Sequence, residues 1–370
     1  MMPSARAVSL ALGCAIAAGC AETPPVRRAF HIAGRDGAVT VPKADADRLA
    51  ALSGLAEIQY GAAAAEFDLS DRQSDLSKIN RVAGSFRMQV SFNTFRALDL
   101  VHYYSQLTQG GYDLALLGAL EAWGIGSATP PPEPPTDEEL AVLREHIGPH
   151  LIQFFDPGGV ALLSPAARLA PMGLQYAYGV DLALVEARRS GFNAVLFEWD
   201  RYARALGRQD PNNYWSLPIR NPFDGPPLGT LRLPPNHGLA VIGLRDQTVT
   251  IAGETYGGII DPRSLRPAQG TCLAAVRAPT CLMAHVLAHA LIVLGMEEGA
   301  RILPSFPEAD VLIMPDRQPV ELWATEGWIR DYTPAADAPI PRRWGQHPTP
   351  EKTGADGSES MLPGVESGST

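Results

Sequence analysis

Two histidines, His285 and His289, interrupt an otherwise apolar run, Cys281-Leu-Met-Ala-His-Val-Leu-Ala-His-Ala-Leu-Ile-Val-Leu-Gly295. The run has no interior Gly or Pro, which predicts a buried helix that Gly295 stops as a C-terminal cap. A spacing of four puts both imidazoles on one helix face, one turn apart. Such a pair can chelate a transition metal such as zinc or nickel, as in the His-Glu-x-x-His helix of zinc peptidases, but that chemistry needs the Glu and a third ligand. Val286 stands where the Glu would be. The competing reading is two histidines hydrogen-bonded inside a polar pocket. His237 is a distant candidate for a third ligand, with no spacing behind it.

The elements that must position this helix belong to a chain able to bury a large core: 370 residues, 46% of them hydrophobic. That size fits one large domain or two intimate ones. The net charge of -10 argues against nucleic acid as a partner, because phosphate backbones need a basic surface. At the N-terminus Arg6 precedes an apolar run, residues 7–18, too short to span a bilayer with ease, and Ala17-Ala18-Gly19-Cys20 closes it. The pattern resembles a bacterial lipoprotein signal (residues 1–20) with Cys20 as the lipidated residue; the alternative is an ordinary secretory signal cleaved near Ala21. Either way the expectation is export, with a Pro-rich tether at residues 21–28. Export permits disulfides, and Cys272 and Cys281 remain as a pair whose geometry the sequence leaves open.

Further along, the pattern predicts a strand near residues 29–41, an Ala-rich helix over 44–65 and a turn into a short helix around Ser74 and Asn80. A helix over 93–108 carries Phe95, Leu98, Val101, Tyr104 and Leu107 at helical spacing. Gly111-Tyr112-Asp113, then Gly118, Leu120, Trp123 and Gly124, suggests a tightly packed backbone. Residues 130–135 are a proline loop, and Thr136-Asp-Glu-Glu139 is a capping box opening a helix to about His146. A hairpin over 151–169, a helix ending near Arg189 before Gly191, and a strand over 192–197 follow. Strand and turn material runs to 249, with strands again over 310–314 and 321–329. The order describes an α+β domain over residues 29–334 with mostly antiparallel sheet. Residues 335–370, rich in Pro, Gly, Ser and Glu, read as a disordered tail.

Read together, these segments resemble the FAD:protein FMN transferases, the ApbE family. The resemblance rests on Ser74 and Asn80, on Gly111-Tyr112-Asp113 with Gly118, Leu120, Trp123 and Gly124, and on Tyr178 and Asp181. It continues through Asn193-Ala194, Ile259-Ile260-Asp261-Pro262-Arg263 and the helix end at Ala290 to Gly295, covering roughly residues 55–315. It implies an ApbE-like α+β fold and a periplasmic lipoprotein anchored to a membrane. It also implies magnesium-dependent transfer of FMN from FAD to a Thr or Ser of an acceptor protein.

The residues that the family uses are kept in part. Gly111, Tyr112, Asp113, Tyr176 and Asp261 fall at flavin-binding positions, and Arg263 is retained beside them. The metal positions, an Asp, a Thr four residues later and a backbone carbonyl, fall on His285, His289 and Gly173. Magnesium prefers oxygen ligands, whereas imidazole suits zinc, copper or nickel. The histidine before Ile-Ile-Asp-Pro is Gly258, so no catalytic residue is assigned. The flavin-contacting lysine is Tyr176, its glycine Ala177, and the aspartate opening that segment Ala170. Glu198-Trp199-Asp200 replaces a Gly-Gly-Asp, and Val241-Ile242-Gly243 a Thr-Ser-Gly. The expectation is a member with impaired or lost activity whose pocket is partly filled by Tyr176 and Trp199. The alternatives are a non-catalytic flavin- or transition-metal-binding lipoprotein and a ligand-free scaffold.

Overall fold

The computed structural model describes residues 24–223 and 225–345. The expected signal with Cys20 and the tail from residue 346 lie outside the described residues. The centre of the molecule is set by strands that read as unbroken apolar runs, such as Gly238–Gly243 and Thr271–Ala278, every residue of which is buried. A strand of that kind must be covered on both faces. Successive residues point to opposite sides: Ala240 and Ile242 enter one core, while Leu239 and Val241 enter another.

These strands sit in a nine-stranded sheet. Its spatial order is Val26–Ile32, Arg35–Val41, Val195–Trp199, Tyr202–Leu206, Gly238–Gly243, Thr271–Ala278, Asp310–Pro315, Trp323–Ala324 and Arg342–Arg343. All pairings are antiparallel except the last. Among the described residues there are eight α-helices: α1 (Leu49–Glu66), α2 (Asp75–Arg81), α3 (Phe92–Leu107), α4 (Leu117–Ala122), α5 (Asp137–Arg144), α6 (Leu174–Arg189), α7 (Cys281–Ile302) and α8 (Glu326–Asp331). Helices α1, α3, α6 and α7 pack together over one face of the sheet and enclose the larger core. The opposite face is covered by a three-stranded sheet, Trp215–Ile219, Gly229–Leu233 and Tyr332–Pro334, and by α8. The expected α+β architecture with mostly antiparallel sheet is the one observed.

Several boundaries differ from the sequence reading. The strand expected over 29–41 is a hairpin that begins at Val26, inside the expected tether, and turns at Ala33 and Gly34, both with positive φ. Gly295 (φ 67°, ψ -164°) breaks α7 locally, but the chain resumes the helix to Ile302. The strand expected over 321–329 is two residues long and gives way to α8, because Trp328 turns into the far core. Residues 335–345 are not a disordered tail: Arg342–Arg343 joins the sheet, and the buried Trp344 donates its indole N–H to the carbonyl of Met296 (3.2 Å) on α7. Cys272 and Cys281 are both free and buried in separate cores.

One buried acid makes the fold pH-sensitive. Glu198, on the strand Val195–Trp199, is buried and ion-paired to Arg27. Burial outweighs the arginine and pushes its pKa up to about 7. A raised folded value means that its contribution is fully present below the ordinary carboxylate range and is lost as pH rises through about 7. Glu198→Gln should therefore gain about 2–3 kcal/mol relative to the parent between about pH 5 and about pH 8. Thermal melts of both proteins across that window check it, and a pH-independent difference would refute it.

Candidate functional site

Between α6, α7 and the loops after α3 and before Thr271 lies a cavity of about 430 Å³. Its walls include Gly111, Tyr112, Asp113, Tyr176 and His289, which the sequence singled out, and the backbone at Gly173 and Gly258. Each is delivered by a local device. Gly173 is the N-cap of α6 with φ 91°, a dihedral that calls for glycine, and a Cβ there would lie a tight 3.1 Å from the Tyr202 hydroxyl. Gly111 brings its backbone against Ala290 and Leu294 of α7, where a Cβ would come within 2.9 Å of each. Thr280 caps α7 through the amide of Met283 (3.1 Å). Asp181 of α6 accepts from the first two amides of that helix, Cys281 (2.9 Å) and Leu282 (3.0 Å).

His285 is completely buried behind the cavity wall. Its Nδ1 is 2.8 Å from the Tyr202 hydroxyl and its Nε2 is 3.0 Å from the Tyr112 hydroxyl. A neutral imidazole donates from one nitrogen and accepts at the other, so two hydroxyls satisfy it completely. Burial drives its pKa well below the ordinary imidazole value, and His289 adds to the shift. His289 borders the cavity, with Nδ1 2.9 Å from the carbonyl oxygen of His285. Burial lowers its pKa to about 4; the bond to His285 opposes that, and the charge of Arg201 reinforces it.

The cavity wall also carries charge that the sequence reading missed. Arg201 reaches Asp246 (2.7 Å) and Asp200 (2.8 Å), Arg220 also pairs with Asp246, and Asp246 accepts from the amide of Gly243 (2.7 Å). Burial works against the charge of Arg201, and the two carboxylates outweigh it. Asp113 is a buried carboxyl whose pKa burial raises to about 6, partly offset by the amide of Ala115 (2.7 Å). No spacing rule could have joined Arg201, Tyr202 and Asp246 to the histidine helix, because the sheet brings them there across the chain.

Other expected residues do not face the cavity. Trp199 is fully buried on the far side of Tyr176, stacked on Tyr60 at 4.4 Å, so it is a core side chain and not a pocket filler. Tyr176 does line the cavity. Asp261 is absent from the wall, and its carboxylate is taken by Arg263 (2.9 Å), which also pairs with Glu298 of α7. Asn80 clamps the backbone of Leu169 through two bonds, 2.9 and 2.7 Å, and Trp123 donates to the carbonyl of Leu265 (2.8 Å). His237 bonds to Pro235 on a turn outside the cavity lining.

A divalent cation of the expected kind does not fit these residues. Both nitrogens of His285 are used, and the carbonyl of Gly173 already accepts from Tyr176 (3.1 Å) in the first turn of α6. Among the described residues no group of three or more His, Cys, Asp or Glu is arranged to hold a metal. Gly258 offers no room for a side chain either: a Cβ there would meet the Cβ and carbonyl oxygen of Gln247 at 2.9 Å. The walls mix apolar and aromatic side chains such as Leu116, Tyr112 and Tyr176 with polar ones such as Asp113, Gln175 and Arg201, a lining suited to a ligand with an aromatic part and polar groups.

A model of the ApbE family matches residues 39–313. The chain belongs to the ApbE family. An FAD:protein FMN transferase from Treponema pallidum (strain Nichols) is 28% identical over 283 residues, 68% of this chain and 75% of the relative. One from Rhodobacter capsulatus is 28% identical over 211 residues, 56% of this chain and only 40% of that longer relative. Among solved structures, the ApbE protein of Thermotoga maritima superposes with a TM-score of 0.74 at 19% identity, covering 83% of this chain and 99% of that one. The flavin transferase ApbE of Vibrio cholerae gives 0.70 at 20%, covering 83% and 100%. At such identity these structures establish the ApbE fold, and the resemblance read from the motifs is a true membership.

Proposed function

We propose that this chain is an ApbE-family protein that holds a flavin, FAD in the first instance, without passing the FMN half to an acceptor. The family reaction forms a bond from a Thr or Ser oxygen to phosphorus and breaks the pyrophosphate, releasing AMP. It therefore needs the hydroxyl proton removed and the growing phosphate charge neutralised. The observation that carries the reading is the His285 ring locked between Tyr112 and Tyr202 where the cation grip is expected. The closed backbone at Gly258 supports it, because no side chain there can take the proton. The retained Asp113 and the aromatic rings of Tyr112 and Tyr176 on the cavity wall support binding.

The test incubates the purified protein with FAD, magnesium and a Thr-containing acceptor protein, then desalts it. Flavin absorbance that stays with the protein while no AMP appears is the expected result. AMP release with a matching mass gain on the acceptor would restore the transferase. Blank absorbance would leave a scaffold. The N-terminal pattern around Arg6 and Cys20 supports an exported, lipid-anchored protein. Mass spectrometry of the same preparation reads it: acyl groups on Cys20 support anchoring, and a chain starting at Ala21 means ordinary secretion.

A further inference from the structure

We propose that the cavity takes its ligand without a divalent cation, through a ligand N–H or O–H group that donates to Nε2 of His289. The proposal rests on the flavin-holding reading above and specifies how the site grips. A carbonyl oxygen can only accept, so the 2.9 Å contact with the carbonyl of His285 assigns the hydrogen of the His289 ring to Nδ1. The other nitrogen, Nε2, then carries a lone pair. It has no protein hydrogen-bond partner among the described residues, and its ring borders the cavity.

The surroundings have the same polarity. The buried Oε1 of Gln175, also on the cavity wall, has no hydrogen-bond partner. Asp113 uses one carboxylate oxygen on the amide of Ala115, and its other oxygen has no partner among the described residues. These three acceptors have no protein donor among the described residues, although the guanidiniums of Arg35 and Arg201 line other parts of the same cavity. A phosphate oxygen brought against these three groups would meet lone pairs, whereas Arg35 and Arg201 are the cavity groups that could meet its charge. A heteroaromatic imide, an exocyclic amine or a polyol hydroxyl would satisfy the three acceptors. A flavin carries an imide N–H and ribityl hydroxyls, so its uncharged part belongs at His289 and its phosphate belongs against the guanidiniums of the cavity.

The cation position itself is replaced from within. Tyr112 and Tyr202 hold His285 on both nitrogens, so a metal would have to break two hydrogen bonds and enter a fully buried ring's contacts to reach it. What remains for a cation is the imidazole of His289 and one oxygen of Asp113, and among the described residues no group of three or more His, Cys, Asp or Glu is arranged to hold a metal. That is too little for magnesium with its preference for several oxygen donors.

The experiment follows quenching of flavin fluorescence by the purified protein. Riboflavin, FMN and FAD are each titrated in excess EDTA and again in excess magnesium. Dissociation constants that agree within about twofold between the two conditions are expected, and His289→Ala should weaken riboflavin about 5- to 100-fold in EDTA. Circular dichroism of the variant verifies folding; should it fail to fold, the magnesium comparison on the parent protein decides. Binding that requires magnesium, or a folded His289→Ala that binds riboflavin as tightly as the parent, overturns the proposal while leaving flavin holding intact. Absence of binding in every condition overturns flavin holding itself, and this inference with it.

Discussion

Replacing Trp199 with alanine is expected to cost about 3–5 kcal/mol, read as a lower denaturant midpoint at unchanged slope. The ring is fully buried, lies flat on Tyr60 and takes the edge of Tyr176 at 4.8 Å. Helix α6 is shaped around it: at Gly179 a Cβ would come within 2.7 Å of the indole. Nothing nearby can fill the void, since Tyr60 and Gly179 belong to helices already packed against each other. The indole N–H is buried with no partner, so Trp199→Phe removes an unsatisfied donor as well as volume. The phenylalanine variant should therefore recover the larger part of the loss. A pocket filler would behave differently, with little change in stability and a gain in flavin affinity on truncation; that outcome would return Trp199 to the cavity.

Asp181→Ala is expected to be of similar size, about 3–5 kcal/mol, because it breaks a buried ion pair by removing one partner. Its carboxylate bonds to Arg204 (2.7 Å) as well as to the two opening amides of α7. Burial raises the Asp181 pKa; the charge of Arg204 and those amides pull the other way without cancelling it. Truncation strands the guanidinium of Arg204 with only the carbonyl of Pro279 (2.9 Å) and leaves two helix amides open. The effect reaches the candidate site, since His285 and His289 ride one and two turns further along α7. Hydrogen exchange at Cys281 and Leu282 should accelerate in the variant together with the loss of midpoint. Unchanged protection there would show that the capping bonds do not hold the helix.

The fold was legible where local chemistry decides it. Thr136 and Glu139 make the reciprocal capping box that their spacing announces, α3 begins and ends close to the expected residues, and α6 ends at the expected Arg189 although it starts at Leu174, ahead of the expected start after Asp181. The buried helix with its histidine pair was legible for the same reason. What escaped was decided by distant partners. Trp328 ends a strand pattern by turning into a core built mostly from residues far earlier in the chain. Trp344 pulls a polar, proline-rich segment back onto α7. A large ring in place of a glycine points Trp199 into the cavity on sequence grounds, but the pleat of its strand turns it to Tyr60. The histidine pair shows both sides: its face followed from spacing, while its occupation by Tyr112 and Tyr202 depended on loops and strands 83 and 173 residues away.

Asn80, Trp123 and Arg263 each clasp a neighbouring segment of the protein and stand outside the cavity lining. Selection for foldability alone would preserve such signature letters long after turnover had ceased. A genome survey that scores family signatures counts such folding letters toward activity, whereas the proposed loss of transfer rests on the letters at 258, 285 and 289.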